Sequence, residues 1–397
     1  MISVTEAISQ IKKNTLSLTI ASESIDSALG SVLAENIISP INLPLFNQSA
    51  MDGYAIVYKD YIGQKKIKII GEVAAGGSFK QKIVSGQAVR IFTGAPVPKG
   101  ATAIVMQEKI AVDNGILVIS DQALKKGSNI REEGSQIKKG QIAIKKGCEL
   151  TAGSIGYLAA MGITTVKIIS SPRISIIATG SELIKPGKTL KPGQIYESNS
   201  FALNAALKSI NIKPVNSIAV SDNETKILNS LKRSIQSADI VLITGGISVG
   251  DYDFTGLSLR KLGVKNIFFK IKQKPGKPLF FGKSGNTLIF GLPGNPAAVL
   301  SCFYEYVFTA IQIMQGRKNI FIKKAQLPIS KDYSKKMGLS LFLKGKTAVN
   351  NVVPLEGQES FVLSSFAIAD CLIYLPEERE DIKAGELVEV HFLPGIN

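Results

Sequence analysis

The chain has 397 residues, 45% of them hydrophobic, and a formal net charge of +16 at pH 7. It is long enough for about two to four domains and apolar enough to bury a sizeable core. Three widely spaced cysteines and a single histidine argue against a disulfide framework, a thiolate metal site, a histidine-based triad and a histidine-rich zinc site. Acid–base and metal chemistry must therefore come from Asp, Glu and Lys.

The positive charge is spread along the chain as single lysines. The sequence has no tryptophan and no Arg-rich block, so an anionic small ligand or a lysine-rich proteome explains the charge better than nucleic acid does. No apolar run is expected to reach membrane-spanning length, and MISVTEAISQIKKN does not have the pattern of a signal peptide. The sequence therefore predicts a cytoplasmic protein that binds neither nucleic acid nor membrane.

The first third of the chain predicts a helix followed by a β-rich module. Residues 3–13 have the periodicity of an amphipathic helix, with Ser3 as its N-cap. From about residue 65 to residue 135, short apolar runs alternate with turns, which is typical of short strands. Asp52-Gly53 and Thr93-Gly94 are turn signals that place polar side chains at exposed positions.

From Pro172 the pattern changes to alternating strands and helices. The strands ISIIATG, VNSIAV and DIVLITGG are each followed by a helical pattern, as over residues 224–236. This alternation predicts a parallel sheet with helices on both faces. Loops after parallel strands share one edge of a sheet, so the loops 179–182, 245–253 and 270–278 should converge on a ligand there.

Asn295-Pro296 begins a long apolar helix, with Asn at the cap and Pro in the first turn. Beyond about residue 318 the chain returns to short apolar runs: LSLFLKG, FVLSSF, CLIYLP and LVEVHFL. These runs predict strands of a small β-barrel or sandwich. His391 lies in the last run, and we expect it on a strand face and not at a catalytic centre.

The stretch from Asp239 to Pro296 holds most of the polar chemistry. An apolar strand leads into Gly245, Gly246 and Gly250, where the backbone can turn sharply and approach a ligand closely. The charged residues that follow are Asp251, Asp253, Lys270, Lys274 and Lys277. A strand, a glycine-rich turn, acids and then bases predict a site for a phosphate ester and a divalent cation.

Seven motifs occur in the order NQSAMDGYA, IFTGAPVP, ATGSEL, YESNS, GGISVGDYD, KPGKP and GLPGNPAAV. Together they resemble the molybdopterin molybdenumtransferase family, which includes bacterial MoeA and the E domain of gephyrin, over essentially the whole chain. The resemblance implies a multidomain α/β protein. Its parts are a discontinuous α+β linker and dimerisation domain (1–44 and 136–170), a β-rich inserted domain (45–135), a central doubly wound molybdopterin-binding α/β domain (171–317) and a C-terminal β-barrel domain (318–397).

The resemblance also implies an activity. The family inserts molybdate into adenylylated molybdopterin and yields Mo-molybdopterin and AMP in a Mg²⁺-dependent reaction. For this chain it implies Mg²⁺ as cofactor, molybdate and adenylylated molybdopterin as substrates, and a homodimer. Other proteins of cofactor biosynthesis are further expected partners.

The matching motifs imply the functional residues. The catalytic positions are Asp52, Thr93, Glu182, Asp222, Asp253, Lys270 and Lys274. The cofactor-binding positions are Gly245, Gly246, Ser248, Gly250, Lys277, Pro293, Gly294, Asn295, Lys344 and Ser360. Glu182 and Asp253 are the implied metal ligands. In the family, the module that carries Asp52 and Thr93 faces the active site of the partner subunit.

Two positions depart from the family pattern. Gly134-Ser135-Gln136 stands where members often carry an acid, and Lys344 stands where many carry Arg, so the bidentate fork is lost there. Two alternatives to the transferase remain: a molybdopterin adenylyltransferase-type enzyme, and a non-catalytic pterin-binding or scaffold protein. The additional β-rich modules favour the transferase over the adenylyltransferase, which does not need them.

Overall fold

A computed structural model describes residues 1–245 and 254–395. The chain forms two compact units, Met1–Ala21 with Lys167–Asn397, and Ser22–Val166. The elements from the N-terminus to the end of the second unit are α1 (Val4–Asn14), β1 (Ile20–Ser24), β2 (Ile37–Ile38), β3 (Gln48–Ser49), β4 (Gly53–Ile56), α2 (Tyr58–Ile62), β5 (Ile67–Val73), β6 (Gln87–Ile91), β7 (Ala103–Met106), a 3₁₀ turn (Gln107–Lys109), β8 (Ile110–Asp113), β9 (Ile116–Ile119), β10 (Ile130–Arg131), β11 (Ile142–Ile144), α3 (Ala152–Ala160) and β12 (Thr165–Ile169).

The Ser22–Val166 unit is β-rich, as predicted. Its main sheet has the strand order β7-β4-β6-β5-β9-β8, and the β5–β6 pair is its parallel pair. Side chains alternate across a strand, so Ala88 and Val89 of β6 enter two different hydrophobic clusters, one on each face. Both faces of this sheet are therefore covered.

The other unit holds the alternating part of the chain. Its remaining elements are β13 (Ile174–Thr179), β14 (Leu183–Ile184), β15 (Ile195–Tyr196), α4 (Asn199–Ser209), β16 (Asn216–Val220), α5 (Glu224–Ser237), β17 (Ile240–Thr244), α6 (Phe254–Lys261), β18 (Lys265–Lys270), β19 (Gln273–Lys274), β20 (Pro278–Ser284), β21 (Thr287–Leu292), α7 (Pro296–Cys302), a π-helical turn (Phe303–Val307), α8 (Phe308–Met314), β22 (Lys324–Pro328), β23 (Tyr333–Ser334), β24 (Ser340–Thr347), β25 (Val352–Pro354), α9 (Ser364–Ile368), β26 (Cys371–Leu375), β27 (Asp381–Ile382) and β28 (Leu387–Phe392).

The central sheet has the order β16-β13-β17-β21-β20-β18. The first four strands are parallel, as predicted, but β20 is antiparallel to both of its neighbours. The all-parallel expectation was wrong here because only Gly285 and Asn286 join β20 to β21, and a parallel connection needs a longer crossover. Strand β18 runs in the direction of β21, so Lys270 reaches the same edge as the ends of the parallel strands.

Helices cover both faces of this sheet, as a doubly wound fold requires. Ile176 and Leu242 pack on one face with α1, α4, α7 and α8. Ile177 and Ile243 pack on the other face with α5 and α6. Helix α1, whose Ser3 accepts from the Glu6 N–H as the predicted N-cap, thus belongs to the α/β core. The four-domain division remains a prediction, and residues 1–21 group with the α/β unit.

Residues Pro296–Met314 form one continuous helical run through α7, the π-helical turn and α8. The expectation that no apolar run is long enough to span a membrane was wrong by length, because this helix has 19 residues and a mean hydropathy of 1.4. Within the fold, 89% of that apolar window is buried. The run is therefore the core helix of the α/β part.

The C-terminal residues form a second sheet with the order β19-β24-β26-β28-β22, and β25 pairs with β24. A bridge between Ile329 and Val352 joins the end of β22 to β25, which closes the strands into the expected barrel-like arrangement. The segment FVLSSF is not a strand but leads into α9. Its Phe366 packs into the α/β core, and its Ser365 donates to the Gly357 carbonyl at 2.8 Å. These tertiary contacts hold the segment in place of β-sheet pairing.

His391 lies on a face of β28, as predicted, and is only 2% exposed. Its Nδ1 is 2.7 Å from Glu305 Oε1 and its Nε2 is 2.6 Å from Glu389 Oε1. Burial alone would lower the pKa of His391, but Glu305 and the hydrogen bonds to both carboxylates raise it. The hydrogen bond from His391, with Lys324 nearby, lowers the pKa of Glu389 to about 2.

The variant His391→Gln should remove a pH dependence of stability. Because the folded-state pKa of His391 is raised, its charge stabilises the fold fully below the unfolded pKa of about 6.5, and this contribution is lost as pH rises through the folded-state pKa. The free energy of unfolding of the wild type should therefore fall above about pH 6.5, by no more than about 1.4 kcal/mol per pH unit. Urea unfolding from pH 6 to 9 measures this, and an equal fall in the variant would assign it to other groups.

Candidate functional site

The edge of the central sheet where the parallel strands end opens into a cleft of about 500 Å³. Loops after β17, β18 and β21 line it together with residues of the C-terminal part. The lining residues are Gly245, Gln273, Lys274, Pro275, Gly276, Lys277, Pro278, Pro293, Gly294, Asn295, Ala298, Leu339 and Ser360. Two of the three loops expected to converge do so through their described residues, while the loop 179–182 does not line the cleft.

The loop from Lys274 to Lys277 supplies the charge of the cleft. Both lysine side chains are exposed, whereas Pro275 and Gly276 between them are buried. Within the part of the chain that the structure describes, neither ammonium group has an ion-pair partner. Two uncompensated cations at one cleft attract an anion, and ammonium groups bind phosphate-like oxygens well.

This loop is packed tightly against the core helix. Gly276 has φ +87°, and a Cβ there would lie 2.4 Å from the Cys302 sulfur and 2.8 Å from Gln273 Nε2. Gln273 is 1% exposed, and its Nε2 donates to the carbonyl oxygens of Pro275 and Gly276 at 3.0 and 3.2 Å. The buried side chains of Gln273 and Cys302 therefore fix the position of the loop.

A second set of hydrogen bonds holds the wall formed by Pro293 and Gly294. The Thr244 hydroxyl donates to the Pro293 carbonyl at 3.2 Å. Asn199 Nδ2 donates to Thr244 Oγ1 at 2.7 Å and to the Gly294 carbonyl at 2.8 Å. Gly245 follows with φ +80°, and a Cβ there would lie 2.2 Å from the Thr179 carbonyl oxygen. Only glycine fits at this position.

Asn295 occupies the N-cap position of α7, as predicted, but its side chain does not cap the helix. Its Nδ2 donates to Ser360 Oγ at 2.7 Å. The Ser360 carbonyl accepts from the N–H groups of Ala297 and Ala298, at 3.0 and 3.3 Å. The start of the helix is thus capped by the C-terminal part of the chain, and this contact brings Ser360 to the cleft.

The predicted acids of the α/β part lie at the same sheet edge but outside the cleft lining. Asp222 and Ser181 are joined by two hydrogen bonds of 3.0 Å: the Ser181 N–H donates to Asp222 Oδ2, and the Asp222 N–H donates to Ser181 Oγ. The exposed Glu182 carboxylate folds over Gly180, where a Cβ would lie 2.8 Å from its Oε1. Lys270 is half-buried, with its Nζ 5.5 Å from the ring centre of Phe269.

Lys344 is not placed as a ligand-binding residue. It is 2% exposed, and its Nζ donates to the carbonyl oxygens of Gly357, Glu359 and Val362 at 2.6, 3.2 and 3.0 Å. Burial lowers the pKa of Lys344. All three of its donors are used inside the protein in this arrangement, where Lys344 holds the segment that includes Ser360. The cofactor contact of Lys344 stays a prediction.

The metal prediction rests partly on residues that are not described. Gly246, Ser248, Gly250 and Asp253 lie outside the described residues. Among residues 1–245 and 254–395, no group of three or more His, Cys, Asp or Glu side chains could hold a metal ion. Metal ligation by Glu182 and Asp253 therefore stays a prediction.

In the Ser22–Val166 unit, Asp52 and Thr93 lie together. Asp52 Oδ1 accepts from both the N–H and the hydroxyl of Thr93, each at 2.7 Å. These hydrogen bonds, with Arg90 nearby, lower the pKa of Asp52, which keeps the carboxylate ionised. The Gly134-Ser135-Gln136 loop bonds through its backbone to Pro44 and Leu43 and presents an exposed amide at Gln136.

Sequence reasoning missed Gln273, Tyr306 and Asn199. Tyr306 donates to Gln273 Oε1, so both residues support the lysine loop from the core. Tyr306 is a polar group inside an apolar run, which is also found in ordinary cores, and Gln273 stands between Lys272 and Lys274 in a polar stretch that does not indicate its burial. Asn199 lies in the quoted YESNS motif, but nothing in the motif itself indicates a bond to the distant Gly294.

Family models match three segments of the chain. The MoeA N-terminal region (domain I and II) matches residues 2–162, the probable molybdopterin binding domain matches residues 175–312, and the MoeA C-terminal region (domain IV) matches residues 327–393. The molybdopterin molybdenumtransferase of Haemophilus influenzae is 36% identical, over 92% of this chain and 92% of its own. The chain belongs to the molybdopterin molybdenumtransferase family.

Other members of the molybdopterin molybdenumtransferase family agree with this assignment. The protein of that name from Staphylococcus epidermidis is 32% identical over 98% of this chain and 95% of its own. The crystal structure of the molybdopterin biosynthesis MoeA protein from Pyrococcus horikosii matches with a TM-score of 0.85 and 30% identity, covering 100% of both chains. The multidomain fold expected from the motifs is thereby confirmed.

Replacing Lys274 or Lys277 by Ala should weaken anion binding without unfolding the protein. Both side chains are exposed and unpaired among the described residues, so stability should change by only about 0.5 kcal/mol. Calorimetric titration with molybdate and thermal unfolding of each variant measure the two effects. Lys232→Ala, on the exposed side of α5, is a matched control that should retain binding, and a large loss of melting temperature at 274 or 277 would show a structural role.

Proposed function

We propose that this protein inserts molybdate into adenylylated molybdopterin and yields Mo-molybdopterin and AMP. The observation that carries this proposal is the cleft that joins Lys274, Lys277, Asn295 and Ser360 at the edge of the molybdopterin-type sheet. Relatives that cover nearly the whole chain bear the name molybdopterin molybdenumtransferase. Family membership and the chemistry of the cleft thus support the same reaction.

The cleft suits this substrate pair. Its volume of about 500 Å³ falls in the range of small-molecule sites, which is about 300–1,000 Å³. Molybdate is a tetrahedral dianion and the phosphates of the adenylylated pterin are anionic, so Lys274 and Lys277 can hold either group by charge-assisted hydrogen bonds. Asn295 and Ser360 offer neutral polar atoms that can orient a bound ligand.

Mg²⁺ is part of the proposal. Carboxylate oxygens are the ligands that Mg²⁺ prefers, and the exposed Glu182 carboxylate at the sheet edge fits this chemistry. Asp253 is the second proposed ligand. When bound, the cation would neutralise charge on the phosphates during cleavage of the phosphoanhydride. The chain's own lysines would bind and orient the anions.

We also propose that the active enzyme is a homodimer in which Asp52 and Thr93 serve the site of the partner subunit. Asp52 is kept ionised by two hydrogen bonds from Thr93, an arrangement that a plain turn does not require. A two-fold dimer uses the same patch on both chains, so each protomer would supply this pair to the other. Cytoplasmic location and the absence of nucleic-acid and membrane partners stay predictions.

Purified protein given adenylylated molybdopterin, molybdate and Mg²⁺ should release AMP, and Asp253→Ala should lower the rate by roughly a hundredfold or more. Loss of one electrostatic element of a preorganised site commonly costs about 3 kcal/mol. AMP release is measured by chromatography, and Lys232→Ala serves as the control.

The same assay separates the alternative functions. Omission of molybdate should suppress AMP release, because the oxyanion is a reactant. Release that continues without molybdate would indicate a hydrolase. Formation of adenylylated product from molybdopterin and ATP would indicate an adenylyltransferase, and nucleotide binding without any AMP release would indicate a scaffold.

The dimer is tested by subunit exchange. Asp52→Ala and Lys274→Ala should each be nearly inactive alone, yet a mixture that has exchanged subunits should recover about a quarter of wild-type activity, since half of the dimers then carry one intact site. Light scattering at micromolar concentration should show the dimer. A monomer there, or no recovery after verified exchange, would contradict the proposal.

A further inference from the structure

The buried amide of Gln273 fixes the direction of two successive peptide units. Its Nε2 donates to the carbonyl oxygens of Pro275 and Gly276, at 3.0 and 3.2 Å. The cis peptide bonds among the described residues are Leu43–Pro44 and Lys274–Pro275, so the two peptide units after Pro275 are trans. In a trans peptide the C=O and N–H point in opposite directions. The N–H groups of Gly276 and Lys277 therefore point away from Gln273.

Two N–H groups of this loop have no acceptor among the described residues. Within the described residues, no backbone or side-chain group accepts from the N–H of Gly276 or Lys277. Gly276 is buried and lines the cleft next to Lys277. A buried N–H group without a partner is costly, and successive N–H groups in a turn form anion-binding concavities.

Tyr306 holds the other end of the Gln273 amide. It is fully buried in the π-helical turn and donates its hydroxyl hydrogen to Gln273 Oε1. Burial raises the pKa of Tyr306 well above its ordinary value, so the hydroxyl remains a donor. Oε1 is thereby directed at the core, and the two hydrogens of Nε2 are left for the loop.

We propose that Gln273, held by Tyr306, is a positioning residue that turns the N–H groups of Gly276 and Lys277 toward a tetrahedral oxyanion in the cleft. The oxyanion is molybdate or the phosphate of AMP, and the Lys274 and Lys277 ammonium groups complete its site. This inference rests on the proposed function, because it assigns the anion site of that reaction.

Gln273→Met keeps the length of the side chain and removes both donors. We expect its dissociation constant for molybdate, measured by calorimetry, to rise at least about tenfold, since oriented backbone donors to an anion are lost. A parallel titration with AMP shows which of the two oxyanions uses the site. In turnover, KM for the affected substrate should rise while kcat changes less. Tyr306→Phe retains both Nε2 donors and should raise the dissociation constant by a smaller factor.

Thr287→Val is a matched control. The Thr287 hydroxyl lies within hydrogen-bond distance of two carbonyl oxygens, those of Ile235 and Ala238 at 3.1 and 2.9 Å, and it lies at the start of β21, the opposite end of that strand from the cleft. This variant should lose stability without losing affinity for molybdate or AMP.

A second measurement uses the wild type and does not depend on any variant folding. Selective ¹³C and ¹⁵N labelling of Pro-Gly and Gly-Lys pairs leaves five Pro-Gly and four Gly-Lys amide signals, among which sequential assignment identifies those of Gly276 and Lys277. Both amide proton signals should shift on addition of the oxyanion that binds.

The outcomes separate this inference from the function. Unchanged affinity of Gln273→Met for both anions, or a wild-type titration in which these amides do not respond, would overturn the positioning role while leaving the proposed function intact. A wild type that binds neither anion would overturn both.

Discussion

The cleft depends on one crowded contact, the packing of the Lys274–Lys277 loop against the buried core helix. At Gly276 a single added carbon would lie 2.4 Å from the Cys302 sulfur, so the backbone is pressed directly onto the helix. Gln273 and Tyr306 add hydrogen bonds at the same place. Backbone pairing of Gln273 with Ser340 extends the support to the C-terminal sheet. The backbone that carries the two flexible lysines is thus held in place by buried contacts, and such support preorganises a charged site.

The C-terminal part contributes to the cleft through its backbone and Ser360, and not through the side chain of Lys344. The Ser360 carbonyl accepts from the first N–H groups of α7, so the start of this helix already has an acceptor and is not open to an anion. Lys344 donates to three carbonyls of the segment that includes Ser360. The lysine at position 344 therefore affects the shape of this segment, because a buried ammonium group suits three converging carbonyls better than the planar fork of an arginine does.

The family assignment and the local geometry answer different questions. Relatives that cover 92–100% of the chain show which family it belongs to. The geometry shows which residues can bind an anion, namely the exposed lysines and the backbone held by Gln273. The acids at Glu182 and Asp222 lie at the same edge, one folded over Gly180 and the other bonded to Ser181, so the cationic and acidic groups occupy separate parts of this edge.

The sequence by itself determined the helices, most strands, the α/β alternation and the glycine-rich and lysine-rich loops, because these follow from local periodicity and turn chemistry. It determined neither the antiparallel strand β20 nor the helix at Ser364–Ile368, since a two-residue connection in one case and burial of Phe366 in the other outweigh the local pattern. Only the tertiary structure shows that Lys344 is buried, that the Asn295 side chain bonds to Ser360, and that Gln273 lies between the Lys274–Lys277 loop and the core helix. Each of these depends on contacts between residues far apart in the chain, which no local pattern encodes.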